Sequence, residues 1–394
     1  MSDRVVVVGA SIGGLTAAET LRQEGYAGEI VLIGSEAHLP YNRPPLSKQI
    51  LLGDWEGDDA VIRTETELAE LDIRVRTGCR ATGLDVNGRV LHTEQGDVAF
   101  DQLIIATGTA PRAHAAVPSA LTLRTLDDAM QLRRRLRSAR RVAVIGSGIL
   151  GSEIASAARK HEAATLLIGR SASLGFGGVG ALLSDQLIAL HRDHGVDLSL
   201  GTEIVSSTVT ASGATVLTFR DGSSHEVDLA VAMIGGTPQT RWLRSSGLDV
   251  SDGVACDIVG EAAPGISAVG DVAAWTDPIS GRPRRVEHQS YAIEQAIAVA
   301  LRLQHGRDST PPVPLFWSEI HGVRINAYGW FDPTHRLTDD TPAEETPERR
   351  VYGSRDDRGD LRGVIGWNAT PRAFRAARAA VVTAPHSIPV PEGV

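Results

Sequence analysis

V-V-V-V-G-A-S-I-G-G, residues 5–14, and V-A-V-I-G-S-G-I-L-G, residues 142–151, decide the fold. Each is an apolar run of strand length that ends in a glycine turn and opens into a helix-length segment. A parallel strand covered on both faces reads as a continuous apolar run rather than an alternation, as Val5–Val8 and Val142–Ile145 do. The glycines have separate tasks. Gly9 and Gly146 make the tight turn, while Gly14 and Gly151 let the helix pack against it. The second stretch carries the full G-x-G-x-x-G at Gly146, Gly148 and Gly151; the first has Ser11 where the second glycine would stand. The helix N-terminus at such a turn offers free N–H groups and a positive dipole end to a pyrophosphate. One such turn is weak evidence, because many use glycine only for packing. Two in register with strands, followed by A-V-G-D at Ala268–Asp271, predict two bound dinucleotides and hydride transfer between a nicotinamide and a flavin.

Around the first turn, strand Arg4–Gly9, helix Ile12–Glu24 and strand Glu29–Gly34 form a βαβ unit. Glu36, just past its second strand, is placed to accept hydrogen bonds from adenosine ribose hydroxyls. The apolar strand Phe100–Thr107 ends at Gly108, where a backbone can approach a cofactor. The second unit runs from Arg141 to Ile168. A helix over Ala181–His194, strand patterns over Glu203–Phe219 and a strand over Leu229–Gly236 follow, with Gly235 near the end of the last. The A-V-G-D strand, with Gly270 and Asp271, and the helix Glu287–Leu303 have no glycine turn of their own, so the chain is expected to return there to its first domain.

With 394 residues the chain exceeds the size of a single core, and 42% apolar content is ample for several. The apolar runs are of strand length, far short of the roughly 18 residues that a membrane span needs. The start M-S-D-R leads straight into a strand with no secretory signal, so a soluble cytoplasmic protein is expected. Cys79 and Cys256 stand alone, without C-x-x-C spacing, which argues against a disulfide framework, a cysteine zinc site and a redox dithiol. Redox chemistry must therefore run through a cofactor. The formal net charge of −9 argues against nucleic acid. The basic run Leu132–Arg141 reads as the solvated face of a helix. His191 and His194 share a helical spacing but have no third ligand nearby; a solvated helix end and no metal site are expected. Only Lys48 and Lys160 are lysines in a chain that otherwise uses arginine, so Lys48, just after P-P-L-S, stands out.

Past the linker His305–Pro314, the last segment holds eight of the 17 aromatic residues, Trp317 among them. They serve as anchors for a small core, or one of them lies near the flavin. In the second unit Gly169 replaces the acidic residue that holds an unphosphorylated ribose, and Arg170 follows it. Removing a carboxylate and adding a guanidinium favours a 2′-phosphate, hence NADPH over NADH.

Y-N-R-P-P-L-S-K (Tyr41–Lys48), A-T-G (Ala106–Gly108), L-R-T-L-D-D (Leu123–Asp128), G-S-E-I-A (Gly151–Ala155), A-V-G-D, V-E-H (Val286–His288) and F-W-S-E (Phe316–Glu319) occur in order along nearly the whole chain. This pattern resembles the ferredoxin reductases of bacterial oxygenase systems, putidaredoxin-reductase-like flavoproteins with two dinucleotide-binding domains. The resemblance implies an FAD site lined by Gly13, Ser35, Glu36, Arg43, Lys48, Ala81, Arg124, Asp271 and Gln289, with Asp271 accepting from the ribityl chain; Thr107 and Trp317 lie in its matching strings. It also implies that Lys48 and Glu153 meet beside the flavin, the ammonium favouring a reduced ring and the glutamate orienting it. Gln289 departs from an aromatic common among relatives, and W-S-E-I-H at Trp317–His321 departs from W-S-D-Q-Y. Asn42 stands near where peroxidase and oxidase cousins carry a cysteine.

The expected architecture is α/β, with two Rossmann-like domains and a small C-terminal α+β domain. An FAD domain is split over 1–112 and 238–308, an NAD(P) domain is inserted at 113–237, and the last domain spans 309–394. The expected activity passes hydride from NAD(P)H to FAD and single electrons to an iron–sulfur ferredoxin. That carrier would serve a haem-thiolate monooxygenase or a ring-hydroxylating dioxygenase. The alternatives are a flavin-dependent oxidase or monooxygenase, and a redox-sensing interaction protein. Arg282, Arg284 and Arg285 are the sequence's candidates for docking an acidic carrier.

Overall fold

A computed structural model of the chain describes residues 3–175, 178–278, 280–307 and 312–381. The first sheet has six strands in the order Glu261–Ala263, Ile266–Ala268, Gln102–Ile105, Arg4–Val8, Glu29–Ile33, Ile73–Arg76. All pairings are parallel except that of the edge strand Glu261–Ala263. Val5–Val8 are buried on both sides, which explains why their sequence shows no alternation. The helix Ile12–Gln23 packs against Gln289–His305, so the late segment does rejoin the first sheet. The first helix ends one residue before its expected end because Glu24 caps it, whereas the second begins two residues later than expected, at Gln289, and runs two residues further, to His305, where Gly306 in the left-handed region ends it.

The second sheet is wholly parallel, in the order Val196–Leu200, Ala164–Gly169, Arg141–Ile145, Leu229–Ala232. The helix Ile149–Lys160 follows the second glycine turn, and the helix expected from Ala181 begins earlier, at Gly178. The alternating stretch over 203–219 splits into Ile204–Val209 and Thr215–Phe219, which pair antiparallel with each other, and Thr215–Phe219 pairs antiparallel with Ser224–Val227 on its other side. The chain leaves the first sheet through Thr109–Pro111 and comes back through Gly236–Pro238, and these two short strands pair with each other. No helix among the described residues is long and apolar enough to cross a membrane.

The third sheet is antiparallel, in the order Leu315–Ile320, Val323–Gly329, Leu361–Trp367, Arg350–Arg355, Arg336–Asp339. Helix Pro371–Ala379, capped by Thr370 with proline in its first turn, lies on it, and Phe374 fills the space left by Gly366. The boundary expected at Ser309 lies outside the described residues, as does Val382, where the helix pattern that the sequence shows over Pro371–Val382 ends. The basic run is only partly a solvated face: Arg133 is buried and donates to Glu56 at 2.8 and 3.1 Å, while Arg134, Arg135 and Arg137 are exposed. Arginine can satisfy such a site because its planar fork matches a carboxylate bidentately.

The two glycine turns are built alike. A Cβ on Gly9 would sit 2.1 Å from the carbonyl oxygen of Ala106, and one on Gly146 would sit 2.1 Å from that of Met233, both at positive φ. A Cβ on Gly14 or Gly151 would sit 1.9 Å from the carbonyl oxygen of the turn glycine. Gly148 differs, since a Cβ there would meet only the Gly175 oxygen at 3.4 Å. Gly151→Ala is therefore expected to cost about 3 kcal/mol or more, or to prevent folding. Gly148→Ala should leave the melting temperature within about 2 °C while weakening pyridine nucleotide binding, a contrast that thermal melts and nucleotide titration read directly.

Candidate functional site

Helices Ile12–Gln23 and Ile149–Lys160 begin without a side-chain cap, so their first backbone N–H groups are left to a ligand. A cleft of about 490 Å³ lies at the first of these ends and reaches between the sheets. Its walls include Ser11, Gly13, Ser35, Glu36, Arg43, Lys48, Thr107, Gly108, Arg124, Glu153, Gly270, Asp271, Gln289 and Trp317. Residues drawn from positions 11 to 317 thus converge on one space. Ala81 is half-buried and its neighbour Arg80 lines the cleft instead. Gly146, Gly148, Gly169, Arg170 and Gly235, at the second sheet's turns and strand ends, and Gly151, in the first turn of helix Ile149–Lys160, do not line this cleft.

At the end of the cleft beside Ser11, Arg43 holds the parts together. Its guanidinium donates to Glu36 Oε1 at 2.7 Å, to Ser11 Oγ at 3.1 Å, to the Tyr41 hydroxyl at 3.0 Å and to the Arg124 carbonyl at 2.5 Å. Glu36 Oε2 accepts from the Tyr41 hydroxyl at 2.5 Å. A carboxylate has about four lone-pair sites, so Glu36 keeps capacity for a ribose. Ser11, the departure from the glycine pattern, is thereby used: its hydroxyl anchors a cation beside the free helix amides, where an anionic pyrophosphate fits.

Opposite, Gly270 lies in the left-handed region and donates its N–H to Gln295 Oε1 at 2.8 Å, which fixes the turn that presents Asp271. Asp271 Oδ2 accepts from Arg124 at 2.9 Å, leaving its other oxygen for a hydroxyl. Gln239 crosses to the first sheet's strand end, its side chain donating to the Thr107 carbonyl and its N–H to the Gly108 carbonyl, at 3.0 and 2.9 Å. Gln289 donates to Asn42 at 2.8 Å. The residue that breaks the family's aromatic pattern therefore pairs with the one that stands near the relatives' cysteine.

Lys48 and Glu153, far apart in sequence, form an ion pair at 2.7 Å, their side chains 15% and 6% exposed. Glu153 also accepts from Ser47 at 2.5 Å and from Ser318 at 2.7 Å. Lys48 Nζ lies 5.1 Å above the ring of Trp317. Sequence reading missed Ser47 and Ser318. A signal existed for the second: in strand Leu315–Ile320 the inward positions are Phe316, Ser318 and Ile320, and a serine on a buried face needs a partner.

Two readings of the sequence need correction. Arg285 is tied up by Asp252 at 3.0 Å and Glu287 at 2.8 Å, and Arg284 pairs with Asp277 and lies 4.6 Å over Trp330, so two of the three arginines are already spent on neighbours and only Arg282 is exposed without such an ion pair among the described residues. His191 is fully buried, with its Nδ1 3.1 Å from His321 Nε2, and His194 stacks on His321 at 4.2 Å. The turn at His321, too remote in sequence for the spacing argument, brings the third ring. Among the described residues no cluster is arranged to hold a metal ion.

A family model described as "Pyridine nucleotide-disulphide oxidoreductase" matches residues 3–296. The chain is 34% identical, over 84% of its length and 81% of the relative's, to the benzene 1,2-dioxygenase system ferredoxin–NAD(+) reductase subunit of Pseudomonas putida. It is 35% identical, over the same shares, to the chlorobenzene dioxygenase ferredoxin reductase component of Cupriavidus sp. (strain PS12). The structure of the covalent putidaredoxin reductase–putidaredoxin complex superposes with a TM-score of 0.87 at 28% identity, covering 96% of this chain and 93% of that one.

Burial first, and then the neighbouring histidines, hold His191 down to about 4 and His321 to about 3 from an ordinary 6.5. Both are neutral in the fold, so the unfolded chain binds more protons as pH falls below 6.5. Stability is full above that pH and is lost down to about 4 and 3, each histidine costing up to about 1.4 kcal/mol per pH unit. Melting temperatures between pH 7 and 4 should fall less in His321→Asn than in the parent; equal slopes would show that the rings are protonated within the fold.

Proposed function

The chain belongs to the pyridine nucleotide-disulphide oxidoreductase family, and from that premise we propose that it is an FAD-dependent NAD(P)H:ferredoxin reductase that feeds an oxygenase through a small iron–sulfur carrier. The Lys48–Glu153 pair, set in the wall of a cleft that also holds Arg43, Glu36 and Asp271, carries this reading. Disulfide chemistry has no place here despite the family's name. Both cysteines are buried away from the cleft, and burial pushes the Cys256 thiol up to about 12. The bound flavin supplies the junction between a two-electron donor and one-electron acceptors.

The residues present fit that group. The uncapped helix at Ser11, with Arg43 beside it, takes the pyrophosphate; Glu36 takes the ribose; Asp271, steadied by Arg124, takes ribityl hydroxyls. Lys48 places a fixed positive charge where negative charge builds up, and Glu153, Ser47 and Trp317 hold it there. Membership of the three sheets supports a split FAD domain at 1–112 and 238–308, an NAD(P) domain at 113–237 and a C-terminal domain at 309–394. The acceptor is an iron–sulfur ferredoxin serving a haem-thiolate monooxygenase or a ring-hydroxylating dioxygenase, in the cytoplasm where NAD(P)H is supplied. Trp317, 43% exposed at the cleft mouth with Arg324 5.9 Å from its ring, is the face offered to that carrier.

For the coenzyme, NADPH is our choice, although the relatives' names carry NAD(+). Gly169 places no carboxylate at the ribose end, where a Cβ would lie 2.4 Å from Ser147 Oγ and displace it, and exposed Arg170 follows.

Purified protein should be yellow, release FAD on denaturation, and reduce an iron–sulfur ferredoxin faster than dioxygen. A panel of ferredoxins none of which outcompetes dioxygen would sink the assignment. Lys48→Met should slow NAD(P)H-driven flavin reduction about tenfold or more in rapid mixing, about 1.4 kcal/mol on the barrier, with coenzyme affinity little changed. Arg170→Ala should lose about 1–3 kcal/mol of NADPH preference in kcat/KM; a preference for NADH that ignores the substitution would place Arg170 in solvent.

A further inference from the structure

Behind the Lys48–Glu153 pair lies a second cavity of about 130 Å³. It shares Ser47, Lys48 and Glu153 with the cofactor cleft, so the ion pair is the wall between the two. The two spaces differ in what encloses them. The cleft runs from the N-terminus of helix Ile12–Gln23 to the ion pair, whereas the rear cavity is walled by the segment after Ser47, by helix Ile149–Lys160 and by the turn at His321 and Gly322. At its inner end the polar groups are buried: Ser47, Glu153 and Ser156. At its outer end they are exposed: Asp54, Lys160 and Glu319. A cavity of this size and polarity holds several waters, each with polar partners.

One helix face makes the ladder. Glu153, Ser156, Ala157 and Lys160 follow i, i+3, i+4, i+7 spacing and therefore stack on one side over about 10 Å. The Ser156 hydroxyl accepts the His321 N–H at 2.9 Å, which leaves its own O–H and a second lone pair free for water. Lys48 has three ammonium protons. One goes to Glu153 at 2.7 Å and one toward Ser47 at 3.4 Å.

We propose that this rear cavity is a water-filled proton passage joining the Lys48–Glu153 pair to solvent. The inference rests on the reductase reading, whose stoichiometry requires such a route. One NAD(P)H and two oxidised ferredoxins give NAD(P)⁺, two reduced ferredoxins and one proton. Both electrons leave on carriers that take no proton with them. The proton must reach water from a site whose front is occupied by its cofactors. Protons pass along the ladder by exchange between the Lys48 ammonium, cavity water and Ser156, with no net change at Glu153.

The chain's two lysines make the test direct. In protein labelled with ¹⁵N-lysine, with FAD and oxidised pyridine nucleotide bound, the exchange of the Lys48 ammonium protons with water is followed by NMR, and Lys160 serves as an internal reference. The passage predicts that exchange at Lys48 persists when the front cleft is filled and slows at least tenfold when Ala157→Leu fills the rear cavity. Gln49→Phe, which plugs the same space from the facing wall, should repeat the effect if A157L folds poorly. Exchange that stops once both front ligands bind, or that neither plug slows, overturns the passage. Because no turnover is involved, this outcome is independent of whether a ferredoxin is the acceptor, which the ferredoxin panel decides separately.

Discussion

A carboxylate removed from water costs several kcal/mol unless its lone pairs are met, and Glu153 is such a group. Its partners, Ser47 with Lys48, and Ser318, come from the loop after the second strand of the first sheet and from the first strand of the third sheet, while Glu153 itself stands on the first helix of the second sheet. Three separately built parts of the chain are thus tied at one point. Withdrawal of any partner leaves a buried charge short of its bonds, so the arrangement of the three sheets and the placement of the Lys48 charge are one constraint. A hydrophobic contact could hold the sheets together equally firmly. It could not fix an ammonium at the wall of a cleft.

The two glycine turns show how one backbone device is adapted to two ligands. The turn and packing glycines are equivalent to within 0.1 Å in what a Cβ would meet: 2.1 Å from a strand-end carbonyl, 1.9 Å from the turn carbonyl. The middle position carries the difference. Gly148 leaves its side open, as a backbone approach requires, whereas Ser11 uses its hydroxyl to hold Arg43, and through Arg43 both Glu36 and Tyr41. One site is prepared by empty space and the other by a cation already bonded into a network, which suits an exchanging ligand in the first case and a resident one in the second.

Sequence alone determined the two βαβ units, the return of the chain to the first sheet, and the residues of the glycine turns, because these depend on local periodicity and on glycine's freedom at positive φ. It also set Lys48 and Glu153 apart, through a resemblance in motif order. What only the tertiary structure decided are the contacts made across long separations. Ser47 and Ser318 emerged as the partners of Glu153, Asn42 as the partner of Gln289, and His321 as the ring that joins His191 and His194. The arginines at 284 and 285, which look like a basic patch in sequence, are spent on Asp277, Asp252 and Glu287. A charge or a polar group in a sequence carries no record of its partner, whereas an apolar period carries its own, since burial is a property of the face and pairing is a property of the fold.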